Sequence, residues 1–301
     1  MAAQAFRNRI PFLSTAIPAA IVIALAAGIA HQLDLVGETP AIGRIPLPLT
    51  VTIPDHPFRY RADGEFYKNG YAVDGPMVEG RIAGELTIMK YQVTEGDYDR
   101  CVAAGACAPL DAASRNGDDR PATGINFTDA EAYARWLSAE TGHVWRLPTH
   151  EEIVYAAGKK FPDDALGIDP DSRNPALRWL ADYERETRRK QASDPVPRTS
   201  GHFGENEHGL ADFAGNVWEW TTTCHRRVDL ADGGAVGQTV ASCGVYVTVG
   251  QHRAPMSYFV RDPESGGCAV GTPPANLGFR LVRDDRWYAP LLKRLAERGI
   301  I

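Results

Sequence analysis

The sequence predicts a loop-rich globular body, built from short helices and short strands, that follows one apolar N-terminal helix. Hydrophobic residues make up 44% of the 301 residues, which is enough for a core. The 29 glycines and 21 prolines, with hydrophobic periodicity in only a few short stretches, favour loops over long regular elements. The net charge of −6 and the lack of any long basic run argue against nucleic-acid binding.

The apolar helix is predicted over residues 10–30, which contain no charged residue. At about 1.5 Å per residue this stretch makes a helix of about 31 Å, which matches the bilayer core. Arg7 and Arg9 precede it, so the positive-inside rule leaves residues 1–9 in the cytoplasm and exports the rest. We therefore expect a single-pass protein of the bacterial inner membrane with its body in the periplasm. A cleaved signal peptide is the alternative, because residues 28–30 have a small-x-small pattern.

The next segment, residues 31–57, contains five prolines and little helical periodicity. This composition predicts an extended spacer between the membrane and the body. The body then begins near residue 58, where aromatic and β-branched residues alternate with glycine turns and predict short strands. The clearest of these strands is residues 86–89.

Three helix starts are marked by a threonine followed three positions later by an acidic residue, the pattern of a capping box. The threonines are Thr94, Thr128 and Thr149, and Gly142 is expected to end the second helix. Residues 177–192 are mostly polar and predict a solvated surface helix, with a functional basic patch at residues 188–190 as the alternative. Later strands are predicted at residues 217–221, 243–249 and 277–282, and a terminal helix at 288–301.

Five cysteines would lie in an oxidising compartment if the body is exported, so disulfides are expected. The best pair is Cys101 with Cys107, because Gly105 between them permits the sharp reversal of a short closed loop. The connectivity of Cys224, Cys243 and Cys268 stays open at this point.

Several ordered segments resemble the formylglycine-generating enzyme, or sulfatase-modifying factor, family. They are YQVT at residues 91–94, WL at 136–137, RLPTHEEIVYAA at 146–157, GLADFAGNVWEW at 209–220 and NLGFR at 276–280. The resemblance covers about residues 80–285, and several ordered motifs are more specific than one alone. It implies an irregular α+β fold related to C-type lectins, and a single domain over residues 58–301.

A calcium site is expected within the second of the long motifs. Asp212 and Glu219 supply carboxylate oxygens, and Gly215 and Val217 could add backbone carbonyls, the oxygen-rich mixture that calcium prefers. The resemblance also implies a structural calcium here. The alternative is that Asp212 caps a turn while Glu219 pairs with an arginine such as Arg280.

Copper chemistry, by contrast, is not expected. Family enzymes hold copper(I) with two thiolates, which are suitable ligands for this soft metal, and oxygen then oxidises the substrate cysteine. The corresponding stretch here, residues 247–262, contains no cysteine. Cys243 and Cys268 are therefore expected to form a structural disulfide rather than a copper pair.

Candidate catalytic residues remain in the loop that the resemblance places at the family's substrate cleft. His252 could act as a general base, and Arg253 or Arg261 could bind a carboxylate through two hydrogen bonds. The alternative is structural, with Arg253 as a brace and Arg261 in a salt-linked turn with Asp262.

The resemblance and the missing copper pair together favour a membrane-anchored, periplasm-facing accessory or maturation factor. It would bind another exported protein or peptide, in the manner of the similar modules that accompany copper nitrite reductases. One alternative is a metal-dependent oxidoreductase of the formylglycine-generating type that modifies a peptide or small molecule. The other is a structural module of an envelope assembly.

Overall fold

The computed structural model describes residues 45–169, 171–172, 174–192, 196–231, 234–263, 274 and 276–300. The chain divides into a main unit, residues 41–285, and a second unit made of residues 1–40 and 286–301. In the second unit the described element is helix α5, Ala289–Glu297, within the stretch predicted as a terminal helix. The predicted membrane anchor at residues 10–30 and the cytoplasmic segment before it lie outside the described residues.

The main unit contains four helices and twelve strands in its described part. The helices are α1 (Glu95–Ala103), α2 (Phe127–Thr141), α3 (His150–Ala157) and α4 (Pro175–Ala192). The strands are β1 (Thr50–Ile53), β2 (Phe58–Arg61), β3 (Glu65–Lys68), β4 (Tyr71–Val73), β5 (Met77–Gly80), β6 (Leu86–Met89), β7 (Val144–Arg146), β8 (Trp218–Leu230), β9 (Val236–Val249), β10 (Arg253–Ser257), β11 (Leu277–Gly278) and β12 (Val282–Asp284). The predicted α+β class is confirmed.

The first sheet has four antiparallel strands in the order β1-β6-β12-β7. All four residues of β6 are buried, so both faces of this strand are covered. Successive side chains of a strand point to opposite faces, and accordingly Ile88 and Met89 belong to two different apolar clusters. The sheet therefore separates the two halves of the core.

The second sheet has the strand order β10-β9-β8-β3-β4, with β11 pairing in parallel with β8. Its main component is the long antiparallel hairpin of β8 and β9. A disulfide between Cys224 and Cys243 crosses this hairpin where the register shifts. A further small sheet pairs β2 with β5.

Two of the three predicted capping boxes are confirmed, at Thr94 and Thr149. The prediction at Thr128 is wrong, because α2 begins after Asn126, whose side chain and that of Asp129 form the box. Asn126 with Asp129 has the same three-residue spacing as the pair that begins at Thr128. Asparagine is also a capping residue, and the earlier pair caps the helix. Gly142 ends α2 in the left-handed conformation, with φ +72, as expected.

The predicted spacer extends too far toward the C-terminus. Residues Thr50–Ile53, which lie inside it, form β1, the edge strand of the first sheet that pairs with β6. Helix α4 matches the predicted surface helix, and its apolar residues Leu177, Trp179, Leu180 and Tyr183 are all exposed. Among the residues that the structure describes, no helix combines the length and apolarity needed to cross a bilayer.

Candidate functional site

His252 lies in the turn between β9 and β10, and its side chain is only 4% exposed. The imidazole meets the indole of Trp218 edge-on, with ring centroids 5.2 Å apart. The Trp218 Nε1–H donates to the His252 carbonyl over 3.1 Å, so backbone and side chain are both fixed against this ring. His252 is therefore part of the packed interior beside Trp218.

Arg253, the next residue, begins β10 and forms a two-point ion pair with Asp164. Its Nε lies 3.0 Å from Oδ2 and its Nη2 lies 2.5 Å from Oδ1, and each side chain is 15% exposed. Its Nη1 also donates to the Ala62 carbonyl over 2.8 Å. This guanidinium therefore joins three chain segments, at Ala62, Asp164 and Arg253 itself.

A pocket of about 240 Å³ opens beside this pair. We call it the arginine pocket, because its lining includes Arg61, Arg185 and Arg253. Three carboxylates also line it, so the charges balance: Glu65, Asp74 and Asp164. Among the described residues that line it there is no cysteine, histidine or serine. Its chemistry is that of charged binding groups rather than of a nucleophile.

The loop of residues 161–169 contributes Asp164 and Leu166 to the lining of the arginine pocket, and charged groups attach it to β2 and to the residue after β4. Arg61 pairs with Asp163 through distances of 2.7 and 2.9 Å, and this guanidinium holds the pKa of Asp163 below its usual value. The Asp74 carboxylate accepts hydrogen bonds from the backbone amides of Leu166 and Gly167 over 2.7 and 2.9 Å. Because these groups are already paired, the pocket is held in shape before any ligand arrives.

His150, which the sequence reasoning did not select, lies buried behind this region at 1% exposure. Its ring contacts Phe161 at a centroid distance of 5.5 Å, and Tyr60 at 6.0 Å. Among the described residues, neither ring nitrogen has a hydrogen-bond partner. Burial, reinforced by the positive charge of Arg253, lowers the His150 pKa to about 3, so the imidazole is neutral.

Arg261 does not line the arginine pocket. Its Nη1 is 2.6 Å from Oδ2 of Asp129 and its Nη2 is 2.9 Å from Oδ1, so it ties the turn after β10 to the start of α2. This ion pair joins residues that are 132 positions apart. The structure therefore does not bring His252, Arg253 and Arg261 into one catalytic group.

The two carboxylates of the predicted calcium site have protein partners in this structure. Both oxygens of Asp212 accept backbone amides, from Gly201 over 2.5 Å and from Phe203 over 2.8 Å. Glu219 is fully buried and pairs with Arg280 through distances of 2.6 and 2.7 Å. Gly215 lies against the Phe203 ring, and Val217 is buried at 1% exposure. Asp212 thus caps a backbone turn and Glu219 forms an ion pair with Arg280, while calcium binding at this segment stays a prediction.

The cysteines give one confirmation and one correction. Cys101 and Cys107 form a disulfide, as their spacing predicts. Cys243 is bonded to Cys224, so the predicted Cys243–Cys268 disulfide is wrong. The reason is that antiparallel pairing of β8 with β9 brings Cys224 opposite the bulge that contains Cys243. Cys268 lies outside the described residues.

No group of three or more His, Cys, Asp or Glu side chains in the described part of the chain is arranged to hold a metal ion. A second pocket, of about 250 Å³, is lined by residues 45–49 and by apolar side chains such as Met89, Tyr133 and Leu137. It contains none of the predicted site residues. The arginine pocket, which contains Arg253, is therefore the candidate site.

Comparison with known proteins gives a consistent answer. The family model described as a sulfatase-modifying factor enzyme 1-like domain matches residues 37–285. The chain is 29% identical over 206 residues to the formylglycine-generating enzyme of Mycobacterium tuberculosis, a match that covers 58% of this chain and 60% of that protein. It is 28% identical over 120 residues to the inactive C-alpha-formylglycine-generating enzyme 2 of Bos taurus, covering 36% of this chain and 35% of that one. The chain thus spans less than two thirds of the length of these relatives.

Among solved structures, PvdO from Pseudomonas aeruginosa is similar in fold, with a TM-score of 0.51 and 19% identity. The likeness covers 82% of this chain and 99% of that chain.

Proposed function

This chain belongs to the sulfatase-modifying factor enzyme family, and from that premise we propose that it is an accessory or maturation factor that binds another exported protein. In this proposal the body faces the periplasm, held at the inner membrane by residues 10–30. It acts without copper–thiolate chemistry.

The observation that carries this proposal is the state of the cysteines. The four cysteines in the described part of the chain form two disulfides, Cys101–Cys107 and Cys224–Cys243. Copper(I) needs thiolate ligands, and a sulfur in a disulfide is not a thiolate. Residues 247–262, where the family's copper pair is expected, contain no cysteine.

The arginine pocket supports a binding role. Its guanidinium and carboxylate groups recognise charged or polar side chains, and its volume of about 240 Å³ suits one or two side chains of a partner. The Tyr67 ring, which also lines the pocket, lies under the guanidinium of Arg227 at 3.9 Å from its centroid. Aromatic residues and arginine are both enriched at protein–protein interfaces.

The comparisons support a role without catalysis, and the disulfides support an exported body. One relative is named inactive, so membership of this family does not by itself imply catalysis. Two disulfides in the described residues favour an oxidising compartment, which agrees with an exported body.

A first experiment tests for copper chemistry in the full chain, purified from membranes under oxidising conditions. We expect copper well below one equivalent by mass spectrometry, and no oxygen-dependent oxidation of a cysteine peptide that the Mycobacterium tuberculosis enzyme converts in parallel. Stoichiometric copper with peptide oxidation would instead establish the oxidoreductase alternative.

A second experiment tests binding. A photo-crosslinking residue placed at Tyr67 should capture an exported protein in cells, and the same residue at the exposed Tyr258 serves as the matched control. The captured protein is then purified and titrated, and Tyr67→Ala should weaken its binding while Tyr258→Ala should not. Equal capture at both positions, or no binding between the purified proteins, would leave the structural-module alternative.

A further inference from the structure

Strand β9 is the longest of the described strands, and its two halves have different surroundings. The inner half, residues 245–249, pairs with β8 on one side and with β10 on the other. The outer half, residues 236–243, pairs with β8 alone among the strands that the structure describes. In the described part of the chain its second side is therefore an open sheet edge, which we call the β9 edge.

The β9 edge lacks the features that protect sheet edges in monomeric proteins. All eight of its residues are exposed, including Val236 at 64% and Val240 at 52%. From Gly234 to Val249 there is no charged residue and no proline. Natural edge strands are usually kept apart by charged side chains, prolines or short length. The opposite edge of the same sheet, β4, is only three residues long.

The β9 edge is also held in a fixed position. The Cys224–Cys243 disulfide ties its inner end to β8. The Gly244 carbonyl, directly after it, accepts a hydrogen bond from the Tyr258 amide over 2.9 Å. An edge that is rigid before pairing loses little conformational freedom when another strand joins it.

The absence of charge favours a second copy of this chain as the partner. When identical strands pair antiparallel about a two-fold axis, a charge near the axis lies close to the same charge of the other strand, whereas an uncharged strand meets no such repulsion. The β9 edge has none, whereas β8 beside it carries Arg226, Arg227 and Asp229. Its β-branched residues Val236, Thr239 and Val240 are the types that stabilise cross-strand pairs.

We propose that the β9 edge pairs antiparallel with the β9 edge of a second copy, forming a two-fold dimer with one sheet that continues across both subunits. Eight residues at about 3.3 Å each give a paired edge about 26 Å long.

The test is the oligomeric state of the full chain, measured by sedimentation and by light scattering in one detergent at micromolar concentration. The wild-type chain should be a dimer. Val240→Lys places a lysine near its own symmetry mate, and should raise the dimer dissociation constant by about tenfold or more. Leu180→Lys, on the exposed face of α4, makes the same kind of change away from the edge and should leave the dimer intact.

A charge-exchange experiment separates pairing at this edge from any effect on folding. Val240→Lys and Val240→Glu should each be monomeric when alone and should form a heterodimer when mixed. A monomeric wild-type chain would overturn the proposal. So would a dimer that Val240→Lys leaves unchanged, or one that Leu180→Lys weakens equally.

Discussion

Two arginine–carboxylate pairs in this protein have nearly the same geometry and very different surroundings. Arg280 and Glu219 are both fully buried, whereas Arg253 and Asp164 are each 15% exposed and line a pocket. Both arginines contact their carboxylate at two points. The surroundings therefore decide whether the same chemical pair closes the core or shapes a site.

The buried pair is completely satisfied. The five N–H groups of Arg280 are accounted for by two contacts to Glu219 and by the carbonyls of Met89, Lys90 and Ala211. Gln92 adds a donor to Glu219 over 2.8 Å. Such a network joins three chain segments that are distant in the sequence, and it tolerates no change of partner.

The largest effect is expected from Glu219→Gln, which removes the charge from the buried pair without changing its shape. The Arg280 cation is then buried without compensation, so the free energy of unfolding should fall by about 3–5 kcal/mol in denaturant titrations. If too little of the variant accumulates for a titration, its soluble yield relative to that of wild type ranks its stability instead. A loss under about 1 kcal/mol would contradict the importance of burial here.

Asp164→Asn makes the same change at the pocket. Because solvent reaches this pair, the loss should be smaller, about 1–3 kcal/mol. The loop of residues 161–169 should also exchange its amide hydrogens faster, measured by mass spectrometry, while β6 in the core serves as an internal reference. Unchanged exchange in the loop would show that the ion pair does not hold the pocket wall.

His150→Phe should stabilise the protein at pH 7 by about 1 kcal/mol, because it removes a buried imidazole whose nitrogens lack partners among the described residues. The wild-type pKa of about 3 lies below the ordinary value of 6.5, so the unfolded chain binds a proton between these values and the folded chain does not. Stability is therefore fully present above pH 6.5 and is lost as the pH falls toward 3. The phenylalanine variant should show a shallower loss over this window. Equal slopes would mean that His150 is protonated in the folded state.

The smallest effect is expected from Asp285→Asn, in the exposed pair with Arg283, where Asp285 is 47% exposed. The free energy of unfolding should change by at most about 1 kcal/mol, and the change should shrink further in high salt. With Glu219→Gln and Asp164→Asn, this substitution completes a series of one chemical change at three depths. If the three losses in free energy of unfolding do not follow this order, the geometry of each pair matters more to stability than its burial.

Local patterns in the sequence were sufficient for the elements that depend on near neighbours. The boxes at Thr94 and Thr149, the strand at residues 86–89 and the Cys101–Cys107 disulfide each involve residues at most six positions apart. The choice between Asn126 and Thr128 could not be made in this way. Asp129, in the box that forms, is also the partner of Arg261, which is 132 positions away.

The arginine pocket could not be predicted for the same reason. Arg61 meets Asp163 across 102 positions, and Arg253 meets Asp164 across 89. Nothing in the local pattern of any one of these residues indicates its partner. The pairing of Cys243 depended likewise on the register of β8 with β9, which a bulge shifts. The Glu219–Arg280 pair was among the alternatives only because both residues lie in family-like motifs.

The position of β12 sets the order in which this protein can mature. Although it is the last strand in the chain, β12 lies between β6 and β7, and Arg280 precedes it by two residues. During synthesis the first sheet therefore lacks a central strand until the final residues of the main unit have been synthesised. Contacts this distant along the chain form slowly and leave apolar surface exposed in the meantime. Residues 276–285 thus complete the main unit, and a chain that ends before them lacks one of the two central strands of the first sheet.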